Sequence, residues 1–199
     1  MKPFFFRLAA SFSLIFILCG CTSAIQKGRR ADSEKIKDLS QKVDELSNAR
    51  SILEERLAKE ISDKTVKLDM MEKGLVVTFV ADILFDSGKA KLRPEADASL
   101  DKVSRVIVEN VPDRPIGIEG HTDNEPIQAS GWKSNWELSV ARALSVLHYL
   151  QDDKNVDPKR LCVTGYGQER PVADNSARDG RQMNRRVEIV IMPKAFQVK

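Results

Sequence analysis

The chain has 199 residues, of which 42% are hydrophobic and 31% are charged, and its formal net charge at pH 7 is +3. This length suits one domain of ordinary size with an appended segment. The small charge is spread as a mixture of acids and bases, which argues against a nucleic-acid-binding protein, and we expect no nucleic-acid partner.

The first predicted element is an N-terminal export signal. A basic start is followed by an apolar run from Leu8 to Leu18 that contains no acidic residue. A run of about a dozen apolar residues matches a signal-peptide core, whereas a membrane-spanning helix needs ~20. We therefore predict a lipoprotein signal peptide at residues 1–20, with an uncleaved anchor or an ordinary signal peptide as the alternatives.

The end of this run, Leu18-Cys19-Gly20-Cys21, resembles the lipobox of bacterial lipoproteins. The resemblance implies cleavage before Cys21 and a diacylglyceryl lipid on that cysteine. Thr22 resembles the outer-membrane sorting pattern of such proteins. Several acyl chains hold a protein stably at a membrane where one does not, so the lipid would be a stable anchor. Together with the pattern at Thr22, this leads us to expect a lipid anchor in the outer membrane, facing the periplasm.

A heptad repeat follows a polar tether at residues 21–31. Position a is occupied by Ile36, Val43, Arg50 and Leu57, and position d by Leu39, Leu46, Leu53 and Glu60. This pattern favours a helical coiled-coil stalk at residues 32–72, through which the chain could self-associate. The charged residues weaken the apolar seam, so local packing on the next domain, or a single charged helix, is the alternative.

Alternating strand and helix patterns predict a domain at residues 73–195. Strands are predicted at residues 75–80, 115–121, 161–167 and 185–192, and helices at residues 94–108 and 134–150, with a short helix near residue 158 and a polar loop at residues 168–184. This order predicts an α+β fold, a βαβαββ sandwich with a mixed sheet and its helices on one face.

The second long helix carries an apolar stripe and one arginine. The stripe consists of Trp136, Val140, Ala143, Leu144, Leu147 and Leu150. Ser134 and Glu137 have the spacing of a capping box, which places the start of the helix. At ~100° per residue, Arg142 lies opposite the apolar stripe and is expected to point away from the core.

Asp123 and Arg142 are the most informative pair of charges. Asp123 follows a predicted strand, and Arg142 shares a helix face with Asn135, about two turns earlier. Such a set suits a zwitterionic ligand, because arginine pairs with a carboxylate in a forked geometry and Asp123 pairs with an ammonium. From the residues alone, a salt bridge between Asp123 and Arg142 or an unpaired surface Arg142 is the simpler interpretation.

Enzyme and metal chemistry have little support in the sequence. His121 has no serine or cysteine nearby in a nucleophile context. Neither His121 nor His148 belongs to a Cys/His cluster with zinc-ligand spacing. We expect no enzyme, no cofactor and no metal site, and we interpret His121 as a structural residue at a strand end.

Five segments carry a family resemblance. They are "ILFDSGKAKLRPEA", "IEGHTDN", "NWELSVARA", "VTGYGQERPVADN" and "GRQMNRRVEIVI". In this order they resemble the OmpA-like peptidoglycan-binding domain. The resemblance implies noncovalent binding of the diaminopimelate residue of peptidoglycan, with Asp123 and Arg142 holding its amine and carboxylate. It also implies supporting contacts from Asp86, Thr122, Asn135 and Arg185.

The leading hypothesis is an outer-membrane lipoprotein that tethers the membrane to the cell wall. The loop between Asp123 and Arg142 resembles that of flagellar stator (MotB-type) members of the family, so a stator component is one alternative. The lack of an acid in the N-terminal apolar run and the presence of Cys21 argue against it. A Pal-like component of an envelope complex is the other alternative.

Overall fold

The structure, a computed structural model, describes residue 37, residues 44–128 and residues 131–194. The described residues from Asp44 onward form one compact unit. The predicted signal peptide, Cys21 and the tether lie outside the described residues, as does most of the stalk before Asp44. Within the described part, no helix combines the length and the hydropathy that a membrane span requires.

The described residues contain a five-stranded mixed sheet. The strands are β1 (Val66–Met71), β2 (Gly74–Val80), β3 (Ile116–His121), β4 (Leu161–Gly165) and β5 (Arg186–Ile191), in the spatial order β1-β2-β5-β3-β4. β3 and β4 pair in parallel, and the other neighbours pair antiparallel. The predicted α+β fold with a mixed sheet is confirmed, and the βαβαββ order holds from β2 onward.

Helices precede the first strand and lie in the later connections between strands. They are α1 (44–56), α2 (Ala58–Ser62), α3 (Ala81–Leu84), α4 (Ala96–Glu109), α5 (Asn135–His148) and α6 (Arg178–Asn184), with a π-helical turn at Tyr149–Asp153 and a 3-10 turn at Pro158–Arg160. α6 lies in the segment predicted to be a polar loop. Its sequence has no apolar period, and Asn184 holds it in place by accepting hydrogen bonds from the backbone of Val172 and Ala173.

The core lies between one face of the sheet and the helices. It joins alternate residues of β2, β3 and β5 to α4 and α5; its members include Leu75, Val77, Phe79, Ile116, Ile118, Val187, Ile189, Ile191, Leu100, Val103, Ile107, Ala143 and Val146. Because strand side chains alternate between faces, this single cluster confirms that the long helices pack on one side.

The predicted stalk is wrong at its C-terminal end. The helical segment ends at Ser62, and Val66–Met71 forms the edge strand β1, which pairs with β2 through a tight hairpin. Gly74 permits this turn because its φ is 127°, a value that L side chains rarely adopt. Pairing with β2 stabilises a strand in this segment in place of the predicted helix. A heptad count uses only the spacing of apolar residues along the chain, so it cannot detect pairing between strands.

The helices α1 and α2 pack on the domain itself. Leu46, Leu53 and Leu57, three of the heptad positions, are buried in the core cluster. Polar contacts reinforce this packing: Lys102 Nζ lies 2.6 Å from Glu60 Oε1, Arg56 Nη2 lies 3.4 Å from Glu109 Oε2, and Arg114 Nε donates to Glu45 Oε2 at 3.0 Å. This part of the helix therefore follows the alternative of local packing, and self-association through the stalk stays a prediction.

Candidate ligand-binding site

The helix α5 turns its polar face inward. Its buried residues are Asn135, Leu138, Ser139, Arg142, Ala143 and Val146, whereas Trp136, Val140 and Leu144 are exposed. The expectation that Arg142 points away from the core is therefore wrong. Asn135, Leu138 and Arg142 face the interior because the helix packs along β3 and β4 through its small residues. The predicted apolar stripe is divided: Ala143 and Leu150 are fully buried, whereas its large N-terminal residues are exposed.

Gly120 on β3 permits this close packing. A Cβ atom at Gly120 would lie 2.0 Å from the carbonyl oxygen of Ser139 on α5. The strand that leads into Asp123 and the helix that carries Arg142 are thus in backbone contact. The predicted N-cap is also present, since the Ser134 side chain accepts a hydrogen bond from the backbone N–H of Trp136.

Asp123 lies just beyond the end of β3 and is 7% exposed. Its Oδ2 accepts a hydrogen bond from Arg185 Nη1 at 2.8 Å, and its Oδ1 accepts one from the backbone N–H of Glu125 at 3.2 Å. The Thr122 hydroxyl donates to the Asp123 carbonyl oxygen at 2.8 Å. Asn135 steadies the following loop by donating to the Glu125 carbonyl oxygen at 3.1 Å.

Arg142 is a buried cation with few partners. It is 3% exposed, its Nε donates to the Lys89 carbonyl oxygen at 3.0 Å, and its guanidinium lies 5.3 Å from the centre of the Phe85 ring. Its Nη1 is buried and has no hydrogen-bond partner among the described residues. Burial lowers the pKa of Arg142 to about 10, although the negative charge of Asp82 acts in the opposite direction.

Arg185 joins two acidic residues. Its Nη1 contacts Asp123, and its Nη2 lies 3.1 Å from Asp82 Oδ2. Burial works to lower the pKa of Arg185, but the hydrogen bonds to Asp82 and Asp123 outweigh burial and raise the pKa. Arg186, the next residue, lies on the opposite face of the sheet, where its Nε is 2.7 Å from Glu188 Oε1.

One open cavity of about 820 Å³ brings the predicted residues together. All six line it: Asp86, Thr122, Asp123, Asn135, Arg142 and Arg185. Asp86 lies at the exposed rim, where Lys89 Nζ is 3.3 Å from its carboxylate. The volume is within the ~300–1,000 Å³ of typical small-molecule pockets, so the cavity can hold more than one amino-acid residue.

Comparison with known proteins identifies the family. The pattern of the OmpA family matches residues 84–185 of this chain, just over half of its length. The chain belongs to the OmpA family. The matched range contains all six predicted ligand contacts, and Arg185 is its last residue.

Individual relatives of this OmpA-family chain differ in their roles. It is 40% identical over 151 residues to Motility protein B of Bacillus subtilis, covering 76% of this chain and 58% of that protein. It is 39% identical over 105 residues to outer membrane protein Omp38 of Acinetobacter baumannii, covering 53% of this chain and 28% of that protein. The chain thus spans less than two thirds of the length of each of these relatives.

A solved structure supports the same fold. The cell wall anchor of the T6SS from Pseudomonas aeruginosa superposes with a TM-score of 0.65 and 33% sequence identity. The match covers 73% of this chain and 99% of the anchor. The shared fold includes the mixed sheet and helices that position the cavity of this OmpA-family domain.

The sequence did not indicate two residues of the cavity wall. Asp82 lies on the short helix α3 and holds Arg185, and Phe85 packs its ring under Arg142. Both residues follow the predicted strand at residues 75–80, in a stretch whose sequence pattern indicates a strand end and a turn. This pattern does not distinguish a binding side chain from any other. The family resemblance was the only signal in this stretch, and it indicated Asp86 alone.

His121 of this OmpA-family domain lies on the sheet face opposite the cavity helices. It is 2% exposed, and its ring stacks on Tyr166 with the ring centres 5.1 Å apart. Burial lowers the pKa of His121 to about 3, and the positive charge of Arg186 adds to this effect. A neutral imidazole with this burial agrees with a structural position and not with a general base at the cavity.

Proposed function

We propose that the domain binds peptidoglycan noncovalently and takes a diaminopimelate residue into the cavity. Arg142 is the observation that carries the proposal. Among the described residues, none forms an ion pair with it, and its Nη1 lacks a partner. A buried charge without a counterion is costly, and a ligand carboxylate would supply the missing acceptor in a forked, charge-assisted geometry.

Asp123 is the proposed partner for the ammonium group of the same ligand. Its carboxylate already accepts hydrogen bonds from Arg185 and from the Glu125 backbone. An incoming ammonium shares or replaces the contact with Arg185. Arg185 keeps a counterion in that event, because Asp82 also accepts from it. The Asp82–Arg185 pair thus lets Asp123 exchange partners without leaving an unpaired charge.

The expected affinity of one site is weak to moderate. Charge-assisted hydrogen bonds contribute ~1.5–3 kcal/mol each, and ordering the ligand and loop offsets part of this. The cell wall presents many copies of the ligand, and an anchor keeps the domain beside it. Both raise the effective concentration, so retention at the wall exceeds what one site provides.

We further propose that the protein is an outer-membrane lipoprotein and tethers that membrane to the wall. The lipobox-like sequence before Cys21 supports the lipid anchor. Omp38 is named an outer membrane protein, and the Pseudomonas relative is described as a cell wall anchor. A role as a binding protein, without catalysis, agrees with these names and with the absence of a nucleophile motif in the sequence.

A stator component is the second candidate. The match to Motility protein B of Bacillus subtilis at 40% identity favours it. The two candidates share the wall-binding domain and differ in the anchor, since acylation of Cys21 belongs to the lipoprotein alone. A Pal-like role in an envelope complex is compatible with both the anchor and the domain.

Co-sedimentation of the purified full chain with diaminopimelate-type peptidoglycan tests the proposal. We expect wild-type protein to pellet with the wall, and Arg142→Ala and Asp123→Ala to bind about ten- to hundredfold more weakly, the loss of one charge-assisted contact. Arg142→Lys keeps the positive charge but loses the two parallel N–H donors of the guanidinium, so we expect an intermediate affinity for peptidoglycan. The intact mass of the same wild-type preparation reports whether the chain starts at an acylated Cys21.

Exposed residues on other surfaces supply matched controls. Arg105→Ala and Asp113→Ala remove the same charges at exposed positions and should bind like wild type. Thermal unfolding shows which variants stay folded. If folded Arg142→Ala and Asp123→Ala pellet as well as their controls, the cavity is not the wall-binding site. A mature chain without acyl groups would contradict the lipoprotein proposal and leave wall binding intact.

A further inference from the structure

Three possible metal ligands meet on the sheet face opposite the helices. Glu119 and His121 are two residues apart on β3, so their side chains share this face. Glu188 is the register partner of Glu119 on β5. One ligand atom from each of the three residues lies within 4.8 Å of the others. Glu188 and His121 are buried, and Glu119 is largely so.

His121 points into this cluster without a hydrogen-bond partner. Neither ring nitrogen has one among the described residues, although the side chain is almost fully buried. Its Nε2 lies 3.9 Å from Glu188 Oε1. Stacking on Tyr166 fixes the ring plane. A buried polar atom without a partner costs ~1–3 kcal/mol, so the orientation of this imidazole calls for an acceptor or a cation.

A tethered cation already lies between the two carboxylates. Lys73 Nζ is 2.7 Å from Glu119 Oε2 and 2.7 Å from Glu188 Oε2. Lys73 belongs to the β1–β2 hairpin, and 39% of its side chain is exposed. It can therefore swing into solvent without moving the sheet. Arg186 Nε holds the other carboxylate oxygen of Glu188 at 2.7 Å and balances part of the charge.

We propose that Glu119, His121 and Glu188 form a site for a divalent metal ion of the zinc class, and that Lys73 holds the cation position until the metal displaces it. One imidazole nitrogen and two carboxylate oxygens form a ligand set that zinc accepts, with water in the fourth position. Magnesium and calcium prefer oxygen ligands alone, so the imidazole selects the transition-metal class. Small side-chain rotations bring the ligand atoms to the ~2.0–2.2 Å that zinc requires.

The charges remain close to balance in both states. Two carboxylates now face the ammonium of Lys73 and the guanidinium of Arg186. A metal ion would replace the ammonium and would also be bound by the imidazole of His121, whose ring nitrogens have no hydrogen-bond partner among the described residues. The sequence gives no sign of this site because Glu188 is far from Glu119 in the chain, and only the β3–β5 register joins them. The inference is independent of wall binding.

Titration of the metal-stripped full chain with Co²⁺ and Zn²⁺ tests the site. Because the metal competes with Lys73, wild-type protein should bind weakly and Lys73→Ala about tenfold or more tightly, a gain of ~1.4 kcal/mol per tenfold. Adding His121→Gln to Lys73→Ala removes the nitrogen ligand and should reverse this gain. His148→Gln removes the only other histidine of the chain, which is exposed, and should change nothing.

The visible absorption of bound Co²⁺ reports the nitrogen ligand directly. Its spectrum should change with His121→Gln and stay the same with His148→Gln. Circular dichroism shows whether each variant is folded, and Glu119→Gln in the Lys73→Ala background replaces any variant that is not. If folded Lys73→Ala binds no more tightly than wild type, or if binding depends on His148 and not on His121, the proposal is overturned.

Discussion

At the scale of single residues, Gly120 determines how closely β3 and α5 approach. The position of its missing Cβ lies 2.0 Å from the Ser139 carbonyl oxygen, a backbone atom that cannot rotate away. The helix with Arg142 and the strand before Asp123 are thereby held at a fixed separation. The geometry of the cavity depends on this contact as well as on the charged residues.

We predict that Gly120→Ala lowers the free energy of unfolding by ~1–3 kcal/mol, the usual cost of overpacking, and also weakens wall binding. Urea denaturation and co-sedimentation measure the two effects. Gly117→Ala on the same strand is the matched control, because the one close contact of its Cβ is with the end of the flexible Met192 side chain, and its other neighbours are at ordinary van der Waals distance. Equal losses of stability and of wall binding in the two variants would show that the contact between Gly120 and α5 does not determine either property.

Arg142 shows how far residue-level prediction reaches. The sequence indicates Asp123 and Arg142 from their charges, their spacing and the family motifs, and the structure places both at one cavity. Their roles in binding stay predictions. The prediction that Arg142 points away from the core was wrong because it assumed that the most hydrophobic face of α5 is the buried one. Close packing against β3 instead selects small residues such as Ser139 and Ala143, which brings Arg142 inward.

At the scale of secondary-structure elements, α1 belongs to the domain. Leu53 and Leu57 are fully buried, and Glu45 is an ion-pair partner of the buried Arg114. A coiled-coil interpretation assigns the same leucines to contacts with another chain. The two interpretations predict different consequences when one leucine is shortened.

We predict that Leu53→Ala lowers the free energy of unfolding of the domain by ~2–5 kcal/mol, the cost of a buried cavity. Urea denaturation followed by tryptophan fluorescence measures this loss. Glu55→Ala, at an exposed position of the same helix, should leave stability near that of wild type. A variant that loses self-association in sedimentation but keeps domain stability would contradict the packing of α1 on the domain.

Elements with strong local patterns were predictable, and elements defined by partners were not. The strands β2, β3 and β5 and the helices α4 and α5 follow from alternation and from apolar periodicity. β1 was missed because the predicted helix was continued to residue 72, beyond the last heptad position at Glu60. Only pairing with β2 makes this segment a strand. α6 was missed because hydrogen bonds from elsewhere in the chain, and not an apolar face, hold its end.

At the scale of the whole molecule, the described unit places the cavity at one end of the sheet, beyond the end of β3. Since the compact unit begins at Asp44, about 22 residues separate it from Cys21, and an extended chain of that length spans at most ~80 Å. In the proposed tether, this segment and not the heptad leucines of α1 sets the reach from the membrane to the wall.

The most direct test of the central claim is a crystal structure of the protein with a soluble stem peptide that contains diaminopimelate. We predict that the ligand carboxylate accepts from Arg142 Nη1 and that its ammonium donates to Asp123, while Arg185 keeps its contact with Asp82. A ligand bound outside the cavity, or inside it with Arg142 Nη1 still without an acceptor, would contradict the account.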